Sequence, residues 1–411
     1  MSKLNYLFNL LSLRTIPYVQ PSLGLDEWKF ARSFLLGGDY SESPRKLEDA
    51  VRDLTGSTFA LGVNRASSAL QLALEAFQLP SDGEVILPSF SCNEIIDVVI
   101  NAGLAPVLVD VDRDFNISAQ SVRAALSAKT RCIIVPHLSG KFVEGMDEIL
   151  SLAKSNDIKV IDDASQAFGL VVDGKWAGTF GDVGVYSFGF GKTLFGAGGG
   201  MLITSDKTVI EYMREYQFAP KPPQTPKKRL MKYMWWYGLQ KISFPFSFVY
   251  KENMRRRYLQ GKFVRPVAPF VPYHIGDMDA SIAHSLMKKW EVIVSRQQKN
   301  AVRLIESGVF EKVGFRVPGV SDHNFTKLMI TTERSQAETV EIKKHLRHAG
   351  IEIETGYTPL HHQKKYQSYR KVEMPETEGI WQGAFWLPMS PDLSSSQLLR
   401  IEKAILQASK Q

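Results

Sequence analysis

Apolar positions change their period along the chain. Leu47, Ala50, Val51 and Leu54 fall at helical spacing, and so does the run Ala69, Leu70, Leu72, Ala73, Leu74 and Ala76. Residues 44–79 therefore read as helical, with Ser67 and Ser68 placed to cap the start of the second run. Beyond residue 80 the pattern shortens. Val85-Ile86-Leu87 is a brief apolar run ended by Pro88, and Pro106-Val107-Leu108-Val109, Cys132-Ile133-Ile134-Val135, Lys159-Val160-Ile161 and Val183-Gly184-Val185-Tyr186 repeat it. Helix-like stretches at 93–102, 118–127 and 145–155 lie between the first four. Short buried strands alternating with helices predict an α/β domain with a largely parallel sheet. Such sheets gather binding groups at strand ends and strand–helix turns. Three stretches hold that kind of position: 64–68, 161–169 and 186–200.

Residues 219–270 break the alternation, being rich in proline, basic residues and aromatics. Helical periodicity resumes near 277. Lys327-Leu328-Met329-Ile330 then reads as a strand and 336–349 as a helix, which predicts a smaller α+β domain. The expected division is 1–218 for a large domain, 219–270 for an insert and 271–411 for a small C-terminal domain. No repeat of solenoid type is present.

The 411 residues are 44% apolar and 23% charged, an ordinary globular balance with enough apolar material for a sizeable core. The two cysteines, Cys92 and Cys132, supply neither a disulfide framework nor a cysteine metal site, and no metal is expected. The net charge of +7 is local in origin. Residues 221–265 hold twelve Lys or Arg against the single acid Glu252, a segment charge of +11 that leaves −4 for the rest.

Chemistry concentrates in the three stretches. Tyr186-Ser187-Phe188-Gly189-Phe190-Gly191-Lys192-Thr193 ends like a phosphate-binding P-loop, but Tyr186 stands where that loop needs a glycine. The other reading is a Schiff-base lysine, whose amine condenses with an aldehyde cofactor, the glycines of 196–200 allowing close backbone approach after it. In Ile161-Asp162-Asp163-Ala164-Ser165-Gln166, a carboxylate after a buried strand suits a pyridine nitrogen, the alternative being a helix N-cap. In Asn64-Arg65-Ala66-Ser67-Ser68, amides and hydroxyls at a helix start suit a phosphate, the alternative being simple capping by Ser67.

In order and spacing these motifs resemble the sugar aminotransferases of the DegT/DnrJ/EryC1/StrS family. Gly83-Glu84-Val85-Ile86-Leu87-Pro88, His137-Leu138-Ser139-Gly140, Tyr357-Thr358-Pro359-Leu360-His361 and Leu387-Pro388 fit the same pattern. The resemblance implies a fold-type I aminotransferase: a three-layer α/β large domain that binds pyridoxal 5'-phosphate, a smaller C-terminal α+β domain, and a homodimer. It implies Lys192 as the catalytic lysine, Asp163 at the pyridine nitrogen and Gln166 at the ring hydroxyl. Ser187, Ala66 and Ser67 would hold the phosphate, and Tyr357 and His361 would border the sugar. The family usually has Gly-Thr in place of Ala66-Ser67, an aromatic stacked on the ring in place of Cys92, and an Asn-Tyr-Arg stretch in place of Pro272-Tyr273-His274. The implied reaction is a ping-pong transfer from an amino acid, glutamate by analogy, to a nucleotide-linked keto sugar in surface polysaccharide, lipopolysaccharide or glycoconjugate biosynthesis. A sugar dehydratase and a catalytically idle membrane-associated scaffold are the rival readings.

The insert has no clear counterpart in that pattern. Trp235, Trp236, Tyr237, Phe244, Phe246, Phe248 and Tyr250 interleave with Lys232, Lys241 and Lys251, and Arg255-Arg256-Arg257 follows. Aromatics of this kind favour lipid headgroups, and clustered cations favour anionic lipids. The alternatives are packing on the body or on a second subunit, and binding of an anionic nucleotide sugar. No nucleic-acid-binding motif accompanies the charge. The apolar stretch around Leu4, Leu7, Leu10 and Leu11 is too short to span a bilayer and lacks a cleavage pattern. It reads as an amphipathic helix packed on the protein or on a partner subunit. The expected location is cytoplasmic, with peripheral contact at the inner membrane face through the N-terminal segment and residues 230–258.

Overall fold

Each apolar run of the first half becomes a strand with both faces covered. In the computed structural model, residues 15–20, 22–220, 226–241 and 271–408 are described, the last six of 226–241 by backbone alone. The strands are β1 (Phe59–Val63), β2 (Glu84–Pro88), β3 (Ala105–Val109), β4 (Thr130–Pro136), β5 (Lys159–Asp163), a short hairpin of β6 (Val171–Val172) and β7 (Lys175–Trp176), β8 (Val183–Ser187) and β9 (Gly200–Thr204). The later ones are β10 (Phe315–Arg316), β11 (Leu328–Thr332), β12 (Glu354–Thr355), β13 (Arg370–Lys371) and β14 (Phe385–Leu387).

Eight of these form one sheet in the order β1-β9-β8-β5-β4-β2-β3-β13. From β8 to β13 neighbouring strands are parallel, and β9 runs antiparallel to both of its neighbours. Alternation along the strands sends side chains to two separate cores. Ile86, Val107, Ile133 and Val135 face one, with the helices Ala119–Ala125 and Met146–Ser155. Val85, Leu87, Leu108 and Ile134 face the other, with the helices Ala66–Ala76 and Asn93–Asn101. The result is the expected three-layer α/β architecture. A second, four-stranded sheet, β10-β11-β14-β12, packs Leu328, Ile330, Phe385 and Leu387 against the helices Gln336–His348 and Ser395–Ala408.

Three details differ from the sequence reading. Residues 44–79 are not one helical stretch. The helix Ser43–Thr55 stops at Gly56, whose φ of +71° suits glycine, and the next apolar run pairs with β9 as strand β1. Ser67 does not cap the following helix. That helix starts at Ala66 with Arg65 as its N-cap and no side-chain capping bond. The helix Asp277–Met287 packs with the large sheet: Ile275, Met278, Ile282 and Leu286 share a core with the inner strands, and Asp277–Met287 lies against Ser43–Thr55. Residues 1–14 and 242–270, which include Arg255, Arg256, Arg257 and most of the insert's aromatics, lie outside the described residues. Among the described residues, no helix is long and apolar enough to cross a membrane.

Candidate active site

The sheet brings the three chemical stretches to one edge. Val63 at the end of β1 and Ser187 at the end of β8 both pair with Gly200 at the start of β9. The carboxyl end of β5 lies beside β8, with Asp163 opposite Val185. This is the strand-end edge where α/β sheets bind ligands.

At the end of β5, two consecutive carboxylates point to opposite faces. Asp162 is enclosed: Oδ1 accepts from His137 Nε2 at 2.7 Å, and Oδ2 accepts from the Gly178 and Phe180 amides at 2.8 and 3.0 Å. His137 Nδ1 in turn accepts from the Val143 amide at 3.2 Å, which fixes its tautomer. Asp163 is buried with the Ser165 amide donating to Oδ1 at 3.0 Å. No helix follows it, so it is not a helix cap. Burial pushes the Asp163 carboxyl above the usual carboxylate range, opposed by the Ser165 hydrogen bonds and the charge of Lys192.

Lys192 lies in the loop between β8 and β9. No helix follows that loop, which removes the P-loop reading, since that motif cradles phosphate at a helix start. Burial pushes the Lys192 amine below its usual value, and the neighbouring Lys327 charge adds to the effect. Cys92, Asp163 and Glu94 pull the other way. A lysine shifted in this direction presents the neutral amine that attacks a carbonyl. Thr193, next to it, shares a 2.5 Å hydrogen bond with Thr326, whose hydroxyl donates to the Gln166 carbonyl at 2.6 Å. The lysine loop and the loop after β5 are thus fastened through one threonine.

Gln166 Oε1 accepts from the Ser139 amide at 3.3 Å, and its side chain also meets the Tyr357 hydroxyl. Cys92 is the N-cap of Asn93–Asn101 and feels the charges of both Lys192 and Asp163. Burial pushes its thiol up to about 12, reinforced by Glu94, so it is neutral and weakly reactive.

The start of the helix Ala66–Ala76 presents its first amides without side-chain caps. Gly200 lies against that start: a Cβ there would sit 2.4 Å from the Ala66 nitrogen and 2.6 Å from the Arg65 carbonyl carbon. Ser187, the cross-strand partner of Gly200, adds a hydroxyl at the same edge. Uncapped amides, a hydroxyl, an amine of lowered basicity and a buried carboxylate match the phosphate, aldehyde and pyridine nitrogen of pyridoxal phosphate.

Tyr357 contacts Phe90 and Trp386 edge-on at ring-centroid distances of 5.9 and 4.9 Å. His361 has both ring nitrogens engaged, Nδ1 with Ser89 Oγ at 2.6 Å and Nε2 with Glu378 Oε1 at 2.8 Å. A cavity of about 30 Å³ lies beside Lys192 toward the second sheet, with Tyr18, Thr326, Lys327 and Leu387 in its wall. The stretch at 272–274 runs beside β1: the Asn64 amide donates to the Tyr273 carbonyl at 3.0 Å. Thr326 and Lys327 were not anticipated, and nothing local in the sequence marks them. Gly200 was within reach, since the glycine run suggested close backbone approach.

The fold has counterparts among known proteins. A Methanocaldococcus jannaschii protein described as uncharacterized is 25% identical over 402 residues, covering 95% of this chain and 96% of its own length. Helicobacter pylori PseC, an aminotransferase involved in the biosynthesis of pseudoaminic acid, superposes with a TM-score of 0.76 at 18% identity, covering 97% of this chain and 100% of that one. The E. coli GDP-4-keto-6-deoxy-D-mannose-3-dehydratase, solved with bound hydrated PLP, gives 0.73 at 19% identity over 95% and 98% of the two chains. Several of the similar structures hold PLP or PMP. At these identities the structural likeness shows the fold. The family pattern itself matches residues 31–406 and settles membership: the chain belongs to the DegT/DnrJ/EryC1/StrS aminotransferase family and is a PLP-dependent enzyme.

Proposed function

We propose that this enzyme transfers an amino group from an amino acid, glutamate by family analogy, to a ketone carbon of a nucleotide-linked sugar that feeds a surface polysaccharide, lipopolysaccharide or other glycoconjugate. The observation that carries the proposal is Lys192, half-buried in the loop between β8 and β9, with its amine in electrostatic reach of the buried carboxylate of Asp163 at the end of β5. When bound, pyridoxal phosphate supplies an electron sink that lets a C–H bond next to nitrogen give up its proton.

The chain's own residues do the rest. Asp163 holds positive charge at the pyridine nitrogen, and in doing so regains the counter-charge that its burial denies it. The amides of Ala66 and Ser67 and the Ser187 hydroxyl hold the phosphate. Gln166 orients the ring hydroxyl, and Cys92 covers part of the ring. Lys192 Nζ moves the proton at the reacting carbon, its lowered basicity easing the exchange. Tyr357 borders the sugar. His361, with both nitrogens occupied, positions the turn that carries Tyr357. The lysine favours amino transfer over dehydration, because dehydrating members of the family tend to lack it.

Lys192→Ala tests this reading. Amino transfer to keto-sugar acceptors is expected to fall by roughly 10³ or more, with loss of the visible absorption band that borohydride removes in the parent enzyme. Turnover near the parent rate overturns the assignment.

A further inference from the structure

Two helices carry the same pattern on their outer faces. In Leu25–Leu35 and its C-cap, Leu25, Trp28, Arg32 and Leu36 recur at helical spacing. In Pro226–Lys241, Lys228, Met231, Lys232 and Trp235 do so. Residues at these spacings share one face of a helix. All eight are exposed, including Leu25 at 78%, Leu36 at 79% and Trp235 at 64%.

The inner faces are already committed. Ala31 is buried, and buried Glu27 accepts from Lys289 and Ser285 at 2.8 and 2.7 Å. Leu230 and Met234 are buried, Arg229 pairs with Asp279, and Tyr233 stacks on Phe195 at 5.5 Å. The two helices touch, and Lys227 Nζ donates to the Leu35 carbonyl at 3.0 Å. Their orientation is therefore fixed by packing, and the two helices are neighbours.

We propose that these two faces form one docking surface for a membrane carrying anionic lipid headgroups. Of the twelve large hydrophobic side chains exposed among the described residues, five lie here, and both of the exposed tryptophans are among them. That concentration is more than scattered surface apolarity. Tryptophan favours the headgroup level, and aliphatic tips enter just below it. Lys29, Arg32, Lys228 and Lys232 surround them, with Asp26 the one exposed acid of the two helices, already 3.9 Å from Lys29. The charge of the adjoining sequence has the same sign, +11 over residues 221–265. A second copy of the chain is a poorer occupant, because lysine is depleted at the core of protein interfaces and here it alternates with the apolar groups. Nucleic acid has no use for the Leu25, Leu36 and Met231 side chains.

The test is sedimentation of the PLP-loaded full chain with vesicles of phosphatidylserine and phosphatidylcholine, or of phosphatidylcholine alone, at low and high salt. Binding is expected with the anionic vesicles, weakening as salt rises. Lys228→Ser/Lys232→Ser is expected to weaken it by roughly fivefold per cation removed. Trp28→Ser/Trp235→Ser is expected to weaken it at both salt concentrations. Both variants should keep the parent's visible cofactor band and its turnover of a soluble acceptor, which separates this surface from the active site. Indifference of the parent to anionic vesicles overturns the proposal, as does a parent-like affinity in either variant. A shift of oligomeric state in the tryptophan variant without vesicle binding assigns the surface to a second copy instead.

Discussion

Asp162 and Asp163 are chemically identical neighbours on one strand, and their surroundings make opposite uses of them. Asp162, on the back face, accepts three hydrogen bonds from His137, Gly178 and Phe180, and its side chain has no exposure. Asp163, on the front face, takes one backbone hydrogen bond, from Ser165, and is pushed upward in pKa by burial beside Lys192. A buried carboxylate whose acceptor positions are filled belongs to the scaffold, whereas one held without full compensation awaits a charged partner. Burial alone does not distinguish them.

Paired substitutions break that comparison most directly. Asp163→Asn should leave melting within a few degrees of the parent and cut the catalytic rate by about a hundredfold or more, the size associated with losing one electrostatic stabiliser. Asp162→Asn should do the reverse in kind. Its amide group would turn an N–H toward donors that now meet oxygen, and each buried donor left unpaired costs roughly 1–3 kcal/mol. Chemical denaturation and single-turnover kinetics on both variants decide the matter. Equal stability losses would mean that the two faces are not different in the way described.

A smaller effect sharpens the phosphate side. Gly200→Ala puts a methyl group 2.4 Å from the Ala66 nitrogen, so the helix start must shift. Pyridoxal phosphate should dissociate on the order of tenfold more readily, through distortion of charge-assisted hydrogen bonds. Equilibrium dialysis at fixed protein concentration measures it.

The smallest effect concerns a third carboxylate, the half-buried Asp112, which serves a turn. Its pKa rises to about 6, because burial outweighs hydrogen bonds from the Asn116 and Asp114 amides. A folded pKa above the ordinary 3.8 means that the folded chain keeps a proton which the unfolded chain has released. Stability from this group is therefore highest below that ordinary value and is lost as pH climbs through about 6. Asp112→Asn retains the Oδ1 acceptor and should raise Tm at pH 7.5 by about 1–2 °C. The gain should vanish near pH 4, which differential scanning calorimetry at the two pH values resolves.

The sequence made the floor of this site readable and left its walls obscure, for a physical reason. Lys192, Asp163 and the Ala66–Ala76 helix start sit at the ends of strands whose apolar runs announce themselves, so a parallel sheet brings them together by topology alone. Thr326 joins Thr193 and Gln166 across 133 and 160 residues, and Ser89 meets His361 across 272. Contacts of that span leave no local period or spacing. Strand β1 was hidden for another reason: five residues between two strong helices offer too short a run to change the apparent period. The helix-start serines were read as caps because serine suits that task, and only the backbone shows that the helix begins one residue earlier.

The antiparallel course of β9 has a consequence for the lysine. Ser187 and Gly200 are register partners, and the Phe188 amide also donates to the Gly199 carbonyl at 3.0 Å. The loop bearing Lys192 is consequently a short leash with both ends tied to one rung of the sheet. Closing that loop is part of folding, so the ordering entropy is settled before any cofactor arrives. In the role proposed for Lys192, an amine on such a leash would stay at high effective concentration in the site. With the lysine end secured in this way, the lifetime of a bound cofactor would be set at the opposite end, by how firmly the proposed phosphate site at the helix start holds it.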